Sequence, residues 1–536
     1  MRKLSFAPYA AIVTLALLAG CGGASLSPRA PSSGIAGFGA SGVPPLSAHG
    51  TCPPPVYKVA AEGEYFETGQ KMTSIAEEFM YYYNGRAHQC VLGAPMDKRA
   101  QWNSTGGHLV ITDRGKKAIF SAKTPGQYTI TATLYGQSPT VNVTVQINNE
   151  RLLCSNCGGV PRSGLVAGNG GTFYGTTVNG GTVGLGTVFE LTPNGSHYEE
   201  KVLYSFRGDG GDGASPSAGV LIDTNGALYG TTSKGGKKTC AGGCGTVFQL
   251  APKGSEYSEK VLYRFQGGAD GETPVAALLQ RNGALYGTTS LGGTGSCPGP
   301  AGGCGTIFVL TQNGSSYAER VLYSFQGGGD GFNPQAALIV DRKGAFYGTT
   351  AGAGSCGSGY STCGTVFRLA PKGSGYQETV LHSFPPYGAD GDTPVAALLE
   401  KNGTLYGTTE GGGSSRFYGT VFQLTPKGSG YTERVLYSFQ SGLDGAHPLG
   451  GVIADAHGNL YGTTSLFGAE SVGTVFKLSR AGSTYTESTL HYFDGGPFDG
   501  EEPDSGLIAD RHGFLYGTTL AGTDGGNDGA AFVVKP

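Results

Sequence analysis

The sequence predicts an all-β protein in which residues 149–536 form a seven-bladed β-propeller with four-stranded blades. Its 97 glycines and 29 tyrosines, with only 14% charged residues, favour many short strands joined by tight turns. The tetrapeptide Tyr-Gly-Thr-Thr also recurs at intervals of 55 to 61 residues, a period typical of propellers and repeat arrays. Its seven copies begin at Tyr174, Tyr229, Tyr286, Tyr347, Tyr406, Tyr461 and Tyr516.

One repeat unit, residues 216–265, contains four strand-like segments. A tight turn with the sequence Asp-Thr-Asn-Gly joins the first two segments, and the second segment carries the Tyr-Gly-Thr-Thr motif. A stretch of variable length separates the second and third segments in each unit. Four antiparallel strands in each of seven units is the arrangement of a seven-bladed propeller. We name these strands A (216–223), B (227–233), C (245–250) and D (257–265).

The repeat also predicts how the blades are arranged around the axis. Two small residues lie near the start of each strand A, where blades crowd together, so strand A is expected to be innermost. A strand D follows only six of the seven motifs. Residues 150–155 match residues 433–438, so this segment is expected to pair with the C-terminal strand and close the ring. The small pairs are Ser163-Gly164, Ala218-Gly219, Ala276-Ala277, Ala336-Ala337, Ala396-Ala397, Gly450-Gly451 and Ser505-Gly506.

The repeat motifs resemble a known family. The pattern LYGTT…GTVF-x-L…VLYSF…DG-x-x-P, over roughly residues 150–536, is similar to the GloVer tandem repeat of exported bacterial proteins. The A–B hairpin, D-x-x-G-x-L-Y-G-T-T, is also similar to the repeats of two-component-regulator propellers. Both resemblances imply an extracytoplasmic propeller, and neither implies a particular activity.

The first residues predict export. Arg2 and Lys3 precede a mostly apolar stretch that ends in Leu-Ala-Gly-Cys at Cys21. This ending resembles the bacterial lipobox, which implies that residues 1–21 are a lipoprotein signal peptide and that Cys21 is the lipid attachment site. The alternative is ordinary cleavage near Ala19, which would leave Cys21 as a free thiol.

Two regions separate this segment from the propeller. Residues 22–51 are mostly Gly, Ala, Ser and Pro, which predicts a flexible tether. Residues 52–148 are expected to form a β-domain, since turn residues separate stretches in which apolar and polar residues alternate. The segment 125–132, with the pattern PG-x-Y-T-I-T-A, is similar to the bacterial Ig-like (group 2) domain and implies an Ig-like β-sandwich. Trp102 is expected to lie in its core.

The other ten cysteines predict disulfides formed in an oxidising compartment. They fall into neighbouring pairs, and three of these pairs lie between strands B and C. Metal binding is the alternative, but no pair has a second Cys or His pair at zinc-site spacing. Short-loop disulfides that stabilise the fold modestly are therefore the better interpretation. The candidate cysteines are Cys52, Cys90, Cys154, Cys157, Cys240, Cys244, Cys297, Cys304, Cys356 and Cys363.

Six linkers between strand D and the next strand A carry Asp-Gly before a proline. If these aspartates ring the axis, their carboxylates would suit Ca²⁺, which prefers several oxygen ligands, or sugar hydroxyls. The alternative is that Asp-Gly is only a favoured turn. No other cofactor is expected. The candidate ring is Asp212, Asp270, Asp330, Asp390, Asp444 and Asp499.

The sequence gives little support for an enzyme or for a nucleic-acid partner. It lacks a nucleophile elbow, an HExxH motif and a phosphate loop, and its net charge is −3. The irregular B–C loops and D–A linkers are expected to share one face of the propeller. Variable loops on a rigid scaffold usually carry the binding function, so this face is the predicted recognition surface.

These observations predict a monomeric, non-catalytic binding or scaffold protein that is anchored to the bacterial cell envelope by its lipid, or secreted. The expected partner is a polysaccharide or an envelope protein. Two alternatives stay open: a propeller glycosidase or lyase with acids from separate blades, and a purely structural repeat protein. The first place to look for such acids is the linker with Asp499, Glu501, Glu502 and Asp504.

Overall fold

A computed structural model of the chain divides it into two compact units, Met1–Asn148 and Asn149–Pro536. In the first unit it describes the backbone of β-strands only. In the second it describes residues 150–154, 157–194, 197–297, 302–353, 363–469, 472–495, 499–522 and 528–536, with side chains from residue 152 onward. In these described parts, no helix has the length and apolar character needed to span a membrane.

The first unit contains eleven described strands, β1 to β11. One sheet has the order β1-β3-β9-β8, with β6 also paired to β3, and a second has the order β2-β11-β10-β7. Strands β4 and β5 form a hairpin. The Ig-like fold, the side chains of Trp102 and Cys90, Cys52, the signal peptide and the tether all lie outside what is described. The strands are β1 Val56–Ala61, β2 Tyr65–Glu67, β3 Met72–Phe79, β4 Tyr81–Asn84, β5 Gln89–Leu92, β6 Met96–Asp97, β7 Gln101–Ser104, β8 His108–Thr112, β9 Lys117–Ser121, β10 Gly126–Thr133 and β11 Thr140–Gln146.

The second unit is the predicted propeller, with seven four-stranded antiparallel sheets. Strands A to D follow one another in each of blades 1 to 6. In chain order, these blades are β13 Val166–Ala167, β14 Phe173–Thr177, β15 Thr187–Asn194 and β16 His197–Ser205; β18 Leu221–Ile222, β19 Leu228–Thr232, β21 Thr246–Lys253 and β22 Glu256–Arg264; β23 Leu279–Arg281, β24 Ala284–Thr289, β25 Thr306–Asn313 and β26 Ser316–Ser324; β27 Ile339–Val340, β28 Phe346–Thr350, β29 Gly364–Lys372 and β30 Gly375–Phe384; β31 Leu399–Lys401, β32 Thr404–Thr409, β33 Thr420–Lys427 and β34 Gly430–Ser438; β35 Ile453–Ala454, β36 Leu460–Thr464, β37 Thr474–Ala481 and β38 Thr484–Tyr492.

The seventh blade confirms the predicted closure of the ring. Its sheet order is β12-β41-β40-β39, in which β12 (Glu150–Cys154) is the outer strand and β41 (Ala530–Val534) lies next to it. The other two strands of this blade are β40 (Leu515–Thr519) and β39 (Ile508–Ala509). Strand D of the last blade therefore comes from the start of the unit, and β41 has no open edge.

The glycine of each Tyr-Gly-Thr-Thr motif is required by packing. In every blade the ring of the strand-C phenylalanine lies directly against this glycine. A Cβ atom built on Gly287 would be only 2.6 Å from Cζ of Phe308, and the other six copies have gaps of 2.4 to 2.7 Å. The rings themselves are fully buried, so they have no open space to move into.

We expect Gly287→Ala to lower the free energy of unfolding by about 1–3 kcal/mol, because overpacking a filled core forces side chains from their rotamers. Denaturant titration of the full chain measures this difference. Gly430→Ala is the matched control, because nothing lies within 4 Å of a Cβ built there. Equal stability losses in the two variants would contradict the packing argument.

The two threonines of the motif form hydrogen bonds within and between blades. In blades 1 to 6 the hydroxyl of the second threonine is paired with that of the first strand-C threonine, as in Thr289 and Thr306, which lie 2.8 Å apart. The hydroxyl of the first threonine donates to a carbonyl of the small pair in the next blade. For example, Thr176 donates to Ala218 at 2.9 Å, and Thr518 donates to Ser163 at 2.9 Å across the closure. The motif therefore connects neighbouring blades by hydrogen bonds close to the axis.

Aromatic rings pack the outer part of each blade against the next. The last residue of strand D, or the one after it, is a buried phenylalanine in blades 1 to 6. Its ring makes an edge-to-face contact with the strand-C phenylalanine of the following blade, with centroids 5.0 to 5.2 Å apart. Such contacts stabilise beyond the area that they bury.

Disulfides bridge three of the predicted cysteine pairs: Cys154–Cys157, Cys240–Cys244 and Cys297–Cys304. Cys363 is also disulfide-bonded, and Cys356 lies outside the described residues. Two of these bridges lie in B–C loops, as the sequence predicted.

Candidate functional site

The B–C loops and D–A linkers lie on the same face of the propeller, which we call the variable face. Each linker pairs with the B–C loop of the blade that it enters. In blade 2 this pairing is a two-stranded ladder between β17 (Gly213–Ala214) and β20 (Lys234–Gly235). In blades 3 to 7 it is a single antiparallel bridge, such as Asp392 with Gly411. The irregular sequence of the repeat is therefore held on a rigid base.

A left-handed residue before the linker proline fixes this arrangement in blades 2 to 7. Its φ lies between 53° and 59°. At this position in blade 6, His447 donates its backbone N–H to Tyr418 of the previous blade, and its carbonyl accepts from Ser465 of its own blade. Positive φ costs energy for a residue other than glycine, so these hydrogen bonds hold a strained conformation. The side chain at this position is free to vary.

An axial cavity of about 540 Å³ opens on the variable face. It continues into a second cavity of about 400 Å³ that is lined by the small pairs of strand A, which confirms that strand A is innermost. The residue between the linker proline and the small pair lines both cavities in six of the seven blades. This position forms a ring with a different side chain in nearly every blade: Arg162, Ser217, Val275, Gln335, Val395, Leu449 and Asp504.

Two charged residues of this ring come from neighbouring blades across the closure. Arg162 belongs to blade 1 and is exposed, whereas Asp504 belongs to blade 7 and is partly buried. The Oδ1 atom of Asp504 is buried and accepts no hydrogen bond from the described residues. Burial raises the pKa of Asp504 to about 7, although the nearby Arg162 guanidinium lowers it. One carboxyl group facing the axis is thus protonated in part at neutral pH.

A groove of about 320 Å³ lies on the variable face at blades 5 and 6. Tyr387 and Phe417 stand at its rim, 41% and 55% exposed, with ring centroids 5.7 Å apart. Two further exposed apolar side chains, Leu443 and Leu466, come from the linker and loop of blade 6. Four of the six large hydrophobic side chains that are exposed in the described residues therefore belong to the linkers and loops of these two blades.

The polar floor of the groove is made by residues that depart from the repeat. Glu410 follows Tyr-Gly-Thr-Thr, where the other blades have Val, Ser, Ala or Leu. Burial raises the pKa of Glu410, the neighbouring Asp392 raises it further, and His447 lowers it. Asp392 is 2% exposed, and it accepts hydrogen bonds from the Tyr387 backbone N–H at 2.9 Å and from the hydroxyl of Thr393 at 3.0 Å.

These contacts give the floor residues different roles. Asp392 holds Tyr387, whose φ of 52° is left-handed, and so positions the aromatic rim. Burial also raises the pKa of Asp392. Glu410 instead faces open space, because it lines both the groove and the axial cavity, as does Thr393. The groove and the axial cavity are therefore neighbours, with Glu410 and Thr393 between them.

Sequence reasoning identified only part of this site. The B–C loops were predicted to belong to the recognition surface, and two residues of one such loop, Arg416 and Phe417, line the groove. Asp504 was picked out as a member of the most acidic linker. Arg162, Glu410 and His447 were missed, although a comparison of equivalent repeat positions shows each of them as a departure.

The six linker aspartates are held separately, each in its own linker. Each accepts a hydrogen bond from a strand-D ring: a tyrosine hydroxyl in four blades, and His382 or His491 in the other two. Backbone N–H groups supply further bonds, as from Gln326 to Asp330 at 2.8 Å. None of the six lines the described axial cavity. The contacts favour the turn interpretation, and a role of these carboxylates in binding a cation stays a prediction.

Metal binding has no cluster to support it in the parts of the chain that the structure describes. There, no group of three or more His, Cys, Asp or Glu side chains lies close enough to hold one ion. The groove residues Asp392, Glu410 and His447 likewise do not form such a group.

Solved structures resemble this chain only at low sequence identity. A 6-phosphogluconolactonase homologue from Bacteroides uniformis is 14% identical, with 66% of this chain and 89% of that chain covered and a TM-score of 0.43. A hypothetical selenium-binding protein from Sulfolobus tokodaii is 12% identical, with coverage of 68% and 86% and a TM-score of 0.41. PorZ, a type-IX secretion-system surface component of Porphyromonas gingivalis, is 13% identical, with coverage of 84% and 54% and a TM-score of 0.36.

The repeat itself identifies the family. No curated protein sequence matches the chain. The family model of the Gloeobacter/Verrucomicrobia repeat, in contrast, matches residues 109–360 and 356–536. These two matches include all seven Tyr-Gly-Thr-Thr motifs and the closing strand. The chain therefore belongs to the Gloeobacter/Verrucomicrobia repeat family.

Proposed function

We propose that this protein is an exported, envelope-attached binding protein that holds a glycan chain in the groove of blades 5 and 6. The observation that carries the proposal is the exposed aromatic pair, Tyr387 and Phe417, above a polar floor. Sugar rings offer apolar C–H faces and polar edges. Aromatic side chains pack against the C–H faces, and convergent polar groups such as Glu410, Arg416 and His447 bind the polar edges.

Export is supported by the chemistry of the cysteines. Disulfides such as Cys240–Cys244 form and persist in oxidising compartments and are rare in the reducing cytosol. The lipobox-like segment that ends at Cys21 gives the proposed means of attachment. Because the proposed tether is flexible, it would leave the variable face free to point toward the membrane or away from it.

Glycan capture by the full chain tests the proposal. We expect binding to at least one polysaccharide in a depletion assay, and we expect Tyr387→Ala with Phe417→Ala to weaken it by about tenfold or more, since stacking aromatics dominate such interfaces. Val183→Ala is the control, because Val183 is also exposed but lies in blade 1. Loss of binding in the control, or retention in the double variant, would count against the groove.

A second candidate function is a glycosidase or lyase. The observation that favours it is that Asp504 and Glu410 line the same cavity and that burial raises the pKa of both groups. Acid–base cleavage of a glycosidic bond, however, needs one protonated and one ionised carboxyl group, and here both are shifted in the same direction. Release of reducing sugar that disappears in Glu410→Gln would establish the enzyme instead.

A further inference from the structure

The axial cavity differs from the groove in how a chain can enter it. The groove is open along the variable face, whereas the cavity lies on the axis and is walled by residues of all seven blades. Because side chains from every blade surround the cavity, it suits the end of a chain better than a middle segment. Glu410 and Thr393 line both spaces, so the groove and the cavity lie next to each other.

The charges in the cavity are arranged asymmetrically. Arg162 is the one cationic side chain among the described residues that line it. It lies near Asp504 but forms no ion pair with it within 4.0 Å in the described structure, so its guanidinium donors are open to a ligand. Across the axis from these two, the ring presents Val275, Gln335 and Val395, and Leu449 lies in the blade next to Asp504.

We infer that the axial cavity receives the end of an acidic glycan, whose terminal sugar carries a carboxylate that pairs with Arg162 and accepts a hydrogen bond from the carboxyl group of Asp504. This inference rests on the proposed function. The apolar side chains of the ring would pack against the C–H face of that sugar.

The pH dependence follows from the groups that face Asp504. Burial raises its pKa to about 7, Arg162 lowers it and Glu502 raises it. Below that pH the protonated carboxyl group donates to the ligand carboxylate. Above it, two carboxylates repel each other across the same space, and Glu410, which lines the cavity, adds to the repulsion. The affinity for a carboxylated chain end should therefore fall as the pH rises from 6 to 8.

The test compares oligogalacturonides with their methyl esters, which have the same shape without the charge. By titration calorimetry on the full chain, we expect the free acid to bind roughly ten- to a hundredfold more tightly, the range of one charge-assisted hydrogen-bonded contact. Arg162→Gln should reduce this ratio to about one. Arg434→Gln, which removes an exposed arginine from strand D of blade 5, is the charge-matched control and should keep the ratio.

Asp504→Asn provides a second arm. The amide keeps a donor at every pH, so this variant should retain the preference for the free acid and lose its decline between pH 6 and 8. A wild-type ratio of free-acid to ester affinity near one, or a ratio that Arg162→Gln does not change, would overturn the inference. Either result would leave the proposal of glycan binding in the groove unaffected. Capture of neutral glycans by the groove without any binding of oligogalacturonides would also overturn it. If no glycan of either kind binds, the inference and the proposed function fail together.

Discussion

Leu153→Ala is expected to lower the free energy of unfolding of the propeller by about 2–5 kcal/mol, the usual cost of emptying a filled core site. Leu153 lies in the closing strand β12, is 5% exposed and packs in a cluster with Leu165, Phe189 and Val533. This cluster joins the first blade to the last. Removing the Leu153 side chain should therefore weaken the ring where β12 pairs with β41, because no turn of the chain joins these two strands.

The closing strand has a matched control in the same molecule. Leu436 occupies the equivalent position in strand D of blade 5, where a tight turn connects strand D to strand C. Leu436→Ala should cost less, because its strand stays attached through that turn and because Leu436 is only partly buried. Denaturant unfolding gives the two free energies, and limited proteolysis near residue 155 reports on detachment of β12. Equal losses, with no new cleavage in Leu153→Ala, would show that the closure is no weaker than the other blades.

The closure was predictable from sequence because the strand D that the last repeat lacks can be recognised before the first complete repeat. Glu150–Cys154 carries the strand-D pattern, and β41 carries the strand-C pattern, so the missing partner of each could be found by alignment alone. The motif glycines and threonines were likewise recognisable as packing elements, since they occur in every blade. What the sequence does not show is the contact that each makes, such as the ring of Phe308 against Gly287.

The candidate site was harder to predict because its residues come from distant parts of the chain. Arg162 and Asp504 lie at opposite ends of the propeller sequence and become neighbours only when the ring closes. Asp392, Glu410 and His447 belong to two linkers and a strand end, and no spacing rule connects them. The position after the linker proline carries a usable signal, however. Its side chain changes from blade to blade while the residues on either side stay proline and small.

The sequence pattern of strand D does not show how buried some of its glutamates are. Its alternation of Glu, Arg or Lys with Val, Leu and Tyr is typical of a strand with one face in water. In the structure, one strand-D glutamate in each of blades 2 to 6 is only partly exposed and lies near the aspartate of the linker that enters its blade. In four of them the Oε1 atom is buried and has no hydrogen-bond partner in the described structure: Glu259, Glu319, Glu378 and Glu433.

This repeated acidic contact predicts that the propeller is more stable at mildly acidic than at alkaline pH. Burial first, and then the linker aspartate, raises the pKa of the strand-D glutamate in five blades. The values are about 7 for Glu259, Glu378, Glu433 and Glu487 and about 8 for Glu319. In the unfolded chain these groups return to the ordinary value near 4.5.

The sign follows from proton linkage. Between pH 4.5 and about 7 the folded protein binds more protons than the unfolded chain, so the free energy of unfolding falls as the pH rises. The stabilisation is complete below pH 4.5 and is lost as the pH passes through 7 to 8. Asp455, whose pKa is lowered chiefly by its hydrogen bonds with Asn459, acts in the opposite direction but is a single group. We expect the Tm of the propeller to fall by roughly 5–10 °C from pH 5 to pH 8.5.

Neutral replacements separate this cause from a general effect of charge. Glu319→Gln, Glu378→Gln and Glu433→Gln in one chain should raise the Tm at pH 8.5 and leave it nearly unchanged at pH 5, because glutamine resembles the protonated acid. The exposed residues Glu199 and Glu256 lie on strand D of blades 1 and 2 and serve as the control, since their replacement by Gln removes charge without changing a buried carboxyl group. A pH profile that stays steep in the triple variant, or flattens equally in the control, would place the dependence elsewhere. A flattened profile in the triple variant alone would identify the seams between blades as the acid-stabilised part of the fold.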